Sequence, residues 1–92
     1  MAQRLMKIIF SKKFQKQYKK LEQKKQILVK NSLLIFEKNP LDKKLRNHAL
    51  SGKFNDIRSI DVSFDLRILL QEKDDYALVV MLQVGSHSEL YG

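Results

Sequence analysis

Pro40 is the only proline in the chain, and it separates two halves whose apolar residues repeat with different periods. The residue before a proline is pushed out of helical geometry, so a helix arriving at Asn39 has to stop there. Upstream, Ser11 offers an N-cap, and Phe14, Tyr18 and Leu21 follow at i, i+4 and i+7 among Lys and Gln, one stripe of an amphipathic helix. The pattern pauses around Glu22–Lys25. Ile27, Leu28, Leu34 and Ile35 then mark a second helix, with Asn31 on its flank. Two helices with so short a connection form an αα-hairpin. Ahead of them, Lys7–Phe10 is a short apolar strand.

Past Pro40 the period falls toward two. Leu41 to Ser51 is a polar, basic loop with Leu45 and Leu50 as anchors, and residues 54–60 form a weak strand. Val62, Phe64, Leu66, Ile68 and Leu70 then alternate with Ser63, Asp65 and Arg67, which predicts one strand with Asp61, Ser63, Asp65 and Arg67 opposite the core. Glu72–Asp75 is a charged hairpin loop. Tyr76 to Val84 is almost unbroken apolar, the signature of a central strand buried on both faces. The order β-α-α-β-β-β predicts a small α+β domain over residues 1–92, with a helical hairpin on a twisted, mostly antiparallel sheet. With 43% hydrophobic residues, 92 positions support one thin core.

Charge is unevenly placed within the net +8. Residues 1–30 hold ten basic side chains against Glu22 alone, whereas residues 31–92 hold eight basic and nine acidic groups. A cationic segment steers polyanions toward one side of a molecule, and lysines give phosphate affinity without sequence choice. A solvated helix face is the equal alternative for these lysines. With no cysteine there is no disulfide, thiolate nucleophile or thiolate metal site, which fits a reducing cytosol. Met1–Lys7 is too short in apolar length for a signal peptide, and no apolar run approaches the roughly 18 residues a membrane span needs.

The chain has two histidines, His48 just before a Ser51-Gly52 turn and His87 in a polar turn after the last strand. Histidine gives and takes protons near neutrality. If His87 folds back over the sheet face that bears Asp65 and Arg67, and His48 and Arg46 approach from the rim, one groove holds an imidazole pair, a carboxylate and guanidiniums. That set suits RNA cleavage through the 2′-hydroxyl: a base removes the proton, a cation stabilises the phosphorane, and an acid protonates the leaving 5′ oxygen. The route needs no metal and no cofactor. His48, His87, Asp61 and Asp65 include metal-binding types, but no ligand spacing supports a metal site. By residue type alone, solvated loop histidines and a surface Asp65–Arg67 pair account for the same positions.

The segment running from His48-Ala49-Leu50-Ser51-Gly52 through Arg58 and Asp65 to Gly85-Ser86-His87-Ser88-Glu89-Leu90-Tyr91-Gly92 resembles the YafQ branch of the RelE/ParE toxin superfamily. The H-x-L-x-G element, an arginine ahead of a strand carrying Asp, and a terminal G-[ST]-H-x-x-L-[FY] carry the likeness. The preceding strand, helical hairpin and Pro-Leu turn match in order.

The resemblance implies a small basic toxin of a type II toxin–antitoxin pair, an endoribonuclease that enters the ribosomal A site and cuts translated mRNA. It implies His48, Asp65 and His87 as catalytic positions: His87 the general acid, Asp65 or His48 the base or its orienting group. Arg58, and less directly Arg46 or Arg67, would stabilise the phosphorane. Tyr91 would help place the RNA; on charge, Lys53, Lys12, Lys13, Lys16 and Lys20 are further RNA contacts. The position four before Asp65, a histidine in the best-known members, is Asp61 here; it would act as a base or an orienting group, or mark weaker activity. Implied partners are a cognate antitoxin and mRNA on the bacterial ribosome, with DNA met only through the toxin–antitoxin complex and no membrane. Two other readings stand: a ParE-like inhibitor of DNA gyrase, and a catalytically degenerate antitoxin- or RNA-binding module.

Overall fold

The computed structural model describes residues 5–51 and 56–91. Strand β1 (Lys7–Phe10) leads into helix α1 (Lys12–Lys20) through Ser11, which does two jobs. Its Oγ accepts from the Phe14 amide at 2.9 Å as an N-cap and donates to the Leu82 carbonyl at 2.7 Å. The start of α1 is thereby fastened to a strand 71 residues away.

Helix α2 (Gln23–Lys38) follows after only Leu21 and Glu22, a tighter elbow than the pause in the sequence suggests. Gln26 Nε2 donates to the Tyr18 carbonyl at 2.9 Å across that elbow. Helix α2 ends at Asn39, as Pro40 requires. Its inward face is Val29, Ser32 and Phe36, while Ile27, Leu28 and Leu34 are exposed. The sequence leaves this face ambiguous because apolar residues occur almost all round α2.

After one 3-10 turn at Lys43–Leu45, strands β2 (His48–Ala49), β3 (Arg58–Ser63), β4 (Leu66–Lys73) and β5 (Leu78–Gly85) join β1 in one five-stranded sheet. A short helix, α3 (His87–Tyr91), closes the described chain. The strand order is β1-β5-β4-β3-β2, with β1 parallel to β5 and every other pairing antiparallel. The α+β class and the helical hairpin on a mostly antiparallel sheet therefore hold; β2 and α3 add to the expected order.

Three expectations are corrected. Residues 62–70 are not one strand: the chain turns at Phe64–Asp65, which makes β3 and β4 a hairpin and leaves Phe64 fully exposed. Alternation continues through a tight turn, so the period alone does not reveal it. Tyr76 lies in the turn at 74–77 with φ 67°, and its ring returns to the core edge-on to Phe36 at 5.9 Å. Strand β5 is buried mainly on one face, at Val79, Met81 and Val84. The expected weak strand at 54–60 begins at Arg58, and residues 52–55 lie outside the described residues.

The core lies between the helical hairpin and one sheet face, built from Phe14, Val29, Phe36, Leu45, Ile60, Ile68, Leu70, Val79, Met81 and Val84. In β5 the register slips so that Leu69 pairs with Gln83 while Leu70 pairs with Met81, leaving Leu82 as an extra residue. That bulge shifts the alternation: Val84 rejoins the core side, and Gln83 and Gly85 join the opposite face.

Candidate active site on the open sheet face

Directly opposed residues of antiparallel strands share a face, so the register defines what the second sheet face carries. One row runs His48, Ser59, Leu69 and Gln83; the next runs Asp61, Arg67 and Gly85. Leu69 is buried yet stands outside the core cluster, which places a cover over this face.

The cover is α3. Ser86-His87-Ser88-Glu89 forms a reciprocal capping box: the Glu89 amide donates to Ser86 Oγ at 3.2 Å, and the Ser86 amide donates to Glu89 Oε1 at 2.7 Å. The Ser86 backbone amide, and then the Ser86 side chain, hold the Glu89 carboxyl below its ordinary value of 4.5. The S-x-x-E spacing is present in the sequence and identifies a helix start where residue types alone suggest a polar turn. Gly85 permits the fold-back, because a Cβ there would stand 3.1 Å from Glu89 Oε1.

Asp65 fastens the same helix from the β3–β4 turn, its Oδ1 accepting from the His87 amide at 3.2 Å. His87 is exposed, and its ring packs against Tyr91 with centroids 4.7 Å apart. The Tyr91 hydroxyl donates to Ser59 Oγ at 3.3 Å, and Ser59 is the cross-strand partner of His48. A run of contacts therefore joins Asp65, His87, Tyr91 and Ser59 across one face, and strand pairing sets His48 opposite Ser59.

His48 Nδ1 lies 2.8 Å from the Arg46 carbonyl oxygen. A carbonyl only accepts, so Nδ1 carries the proton and the neutral ring presents Nε2 as an acceptor on an exposed side chain. Arg46 has φ 50°, a left-handed turn that aims its carbonyl at the ring two residues on.

Asp61 lies between two guanidiniums, with Arg46 Nε 3.6 Å from Oδ2 and Arg67 Nε 3.3 Å from Oδ1. The Arg67 contact is an ion pair without a directed hydrogen bond. Arg67 thus pairs with Asp61, its cross-strand neighbour, and not with Asp65.

The strand pleat turns Arg58 to the opposite face, level with Leu70 and Met81, where its Nε donates to Asn47 Oδ1 at 2.7 Å. Asn47 in turn donates to the Tyr76 hydroxyl at 3.1 Å. Lys12, Lys13, Lys16 and Lys20 are all exposed on α1. Gln17 of that helix lies along the end of β5, accepting from the Val84 amide at 2.8 Å and reaching the Gln83 side chain. Lys13 and Lys20 flank Gln17 on the helix surface, which sets them at the rim of the open face. Lys53 lies outside the described residues. Ser59 escapes a reading of the sequence, since a buried serine in a weak strand carries no pattern. Among the described residues, no three His, Asp or Glu side chains gather as a metal site.

Against known proteins, residues 6–92 match the family model described as the bacterial toxin of type II toxin–antitoxin system, YafQ. A copper-bound mutant toxin from Helicobacter pylori is 30% identical, with TM-score 0.71 over 95% of this chain and 100% of that one. YafQ in the E. coli DinJ–YafQ toxin–antitoxin complex is 24% identical, with TM-score 0.70 over 99% and 100%. A YoeB/ParE toxin from Agrobacterium tumefaciens shares the fold at TM-score 0.75 and 12% identity, over 89% and 99%. A search of curated proteins finds no match.

Proposed function

Because the chain belongs to the YafQ family of bacterial type II toxins, we propose that it is an endoribonuclease that cuts translated mRNA in the ribosomal A site. The observation that carries this reading is the run of contacts from Asp65 through His87 and Tyr91 to Ser59, the cross-strand partner of His48. It puts two imidazoles on one face with guanidiniums beside them.

In the proposed reaction, His48 Nε2 takes the proton of the 2′-hydroxyl. The freed oxygen attacks the adjacent phosphorus, and charge builds on the non-bridging oxygens of a phosphorane. Arg46 and Arg67 stabilise that charge, held on the face by Asp61. His87 gives its proton to the 5′ oxygen as the P–O bond breaks, leaving a 2′,3′-cyclic phosphate and a 5′-hydroxyl. General acid and base steps of this kind each contribute roughly 10²–10⁴-fold.

The geometry favours His48 over Asp65 as base. Asp65 is engaged with the His87 amide and serves to seat the helix that carries the acid. Asp61, where the best-known relatives have histidine, supports the orienting role among those open to it. Arg58 acts at a distance in this reading, bracing Asn47 and so the loop that presents His48. Tyr91 offers a ring against the RNA, and the α1 lysines contact its phosphates.

E. coli YafQ is seen bound to the antitoxin DinJ. We propose that this chain likewise has a cognate antitoxin, an acidic one suited to the basic first third of the sequence, and that it works in the cytoplasm. Among the described residues no helix is long and apolar enough to cross a membrane. The test is single-turnover cleavage of mRNA on programmed ribosomes by wild type and His87→Ala. Cutting lost in the variant supports the reading; equal cutting sinks it. Inhibition of gyrase supercoiling without RNA cleavage would favour the ParE-like alternative.

A further inference from the structure

We propose that Phe64 is a stacking platform for an RNA base next to the scissile phosphate, and that the hollow beside it is the pocket of that nucleotide. The inference rests on the nuclease reading above and adds a subsite to it.

Phe64 is 100% exposed at the tip of the β3–β4 turn. Centres of tight turns are usually Gly, Pro, Asn, Asp or Ser, each for a backbone reason that phenylalanine does not share. The ring also contributes nothing to the core. It is not a stray apolar side chain on a remote surface, because the next residue, Asp65, accepts from the His87 amide at 3.2 Å.

Phe64 lines a hollow of about 250 Å³ between the α1–α2 elbow and the start of α3. Leu21 and Leu66 supply apolar surface, and Lys25 an ammonium; Asp65 and Glu89 line the same hollow. This is the chemistry a single nucleotide meets on a single-strand-binding protein: a ring for the base face and a cation for the phosphate. Because every base has a π face, the stacking itself is sequence-tolerant. The carboxylates add a preference, since they accept from the exocyclic amines of adenine, guanine and cytosine and find no such amine on uracil.

The chain contains no tryptophan, so Phe64→Trp introduces a single fluorescent indole at this place. The full chain is assayed on programmed ribosomes. In parallel, the indole fluorescence of the Phe64→Trp protein is titrated with a single-stranded RNA carrying 2′-O-methyl groups, which cannot be cut. We expect Phe64→Ala to raise KM by roughly 5- to 150-fold with kcat little changed, the range for losing one base stacked on one ring. Phe64→Trp should cut like wild type and be quenched by the RNA. An unchanged KM in Phe64→Ala, while wild type cuts, overturns the subsite. So does a Phe64→Ala defect confined to antitoxin capture, which would make the ring a protein contact. If wild type itself does not cut, the nuclease reading fails, and the fluorescence titration decides the subsite independently.

Discussion

The Tyr91 hydroxyl donates to Ser59 Oγ at 3.3 Å across 32 residues of chain. Ser59 is fully buried on the sheet, whereas Tyr91 belongs to the last described turn of helix. This bond fixes the end of α3 above the strand that pairs with His48. Removing the Tyr91 hydroxyl leaves a buried serine without its partner, which costs about 1–3 kcal/mol. Tyr91→Phe should therefore lower the melting temperature, and combining it with Ser59→Ala should cost less than the two single changes added together. A double-mutant cycle by denaturant unfolding measures this. Strict additivity would show that the two groups do not interact.

Asp65 distinguishes orientation from base catalysis. Its carboxylate accepts from the His87 amide, a bond that an asparagine side-chain oxygen can also make. Asp65→Asn should keep cleavage within several-fold of wild type, whereas Asp65→Ala should unseat α3 and lose far more. If Asp65 were the base, both changes would cost roughly 10²–10⁴-fold. Single-turnover rates of the two variants decide it.

Asp61 offsets part of the charge of two guanidiniums that face the proposed phosphate position. Asp61→Asn should tighten RNA binding while lowering kcat, because the site loses a negative charge and the arginines lose their alignment. The salt dependence should steepen by about 0.7 in log–log slope for each additional cation engaged by single-stranded RNA. Binding titrations at several salt concentrations provide the check; an unchanged slope would mean that Asp61 does not hold the arginines in solution.

The capping box should respond to acid. A carboxyl whose folded-state value is lowered contributes stability that is present above its unfolded value and is lost as pH falls through the folded one. For Glu89 the ordinary value is 4.5, so the contribution to fastening α3 is fully present above that pH and is lost as pH falls through a folded-state value below it. The Ser86 amide resonance should titrate with a midpoint under 4.5. Glu89→Gln retains a capping acceptor and should abolish the titration.

The elements legible in the sequence are those with a strong period or a hard stop: Ser11 at a helix start, Pro40 after a helix end, and the alternation that carries Leu66, Ile68 and Leu70. The β3–β4 turn is hidden because Phe64 continues the apolar alternation across it, so a fully exposed ring looks like core. Helix α3 is legible through Ser86 and Glu89, three residues apart, but its brevity favours a turn. The bulge at Leu82 has no local signal, since Tyr76–Val84 is apolar almost throughout; register is a property of paired strands. Of the site, His48, Asp65, His87 and Tyr91 can be named from residue type and family likeness. What joins them, Ser59 and the His87 amide, belongs to the fold. Arg58 illustrates the converse: its residue type suits a phosphate, but strand parity turns it to the other face.

In the proposed reaction His48 is the base and His87 the acid on one phosphodiester. An RNA with sulfur in place of the leaving 5′ oxygen separates the two roles, because a thiolate departs without being protonated. On this substrate, His87→Ala should recover cleavage close to wild type, while His48→Ala should remain defective. Equal rescue of both variants, or of neither, would contradict the assignment.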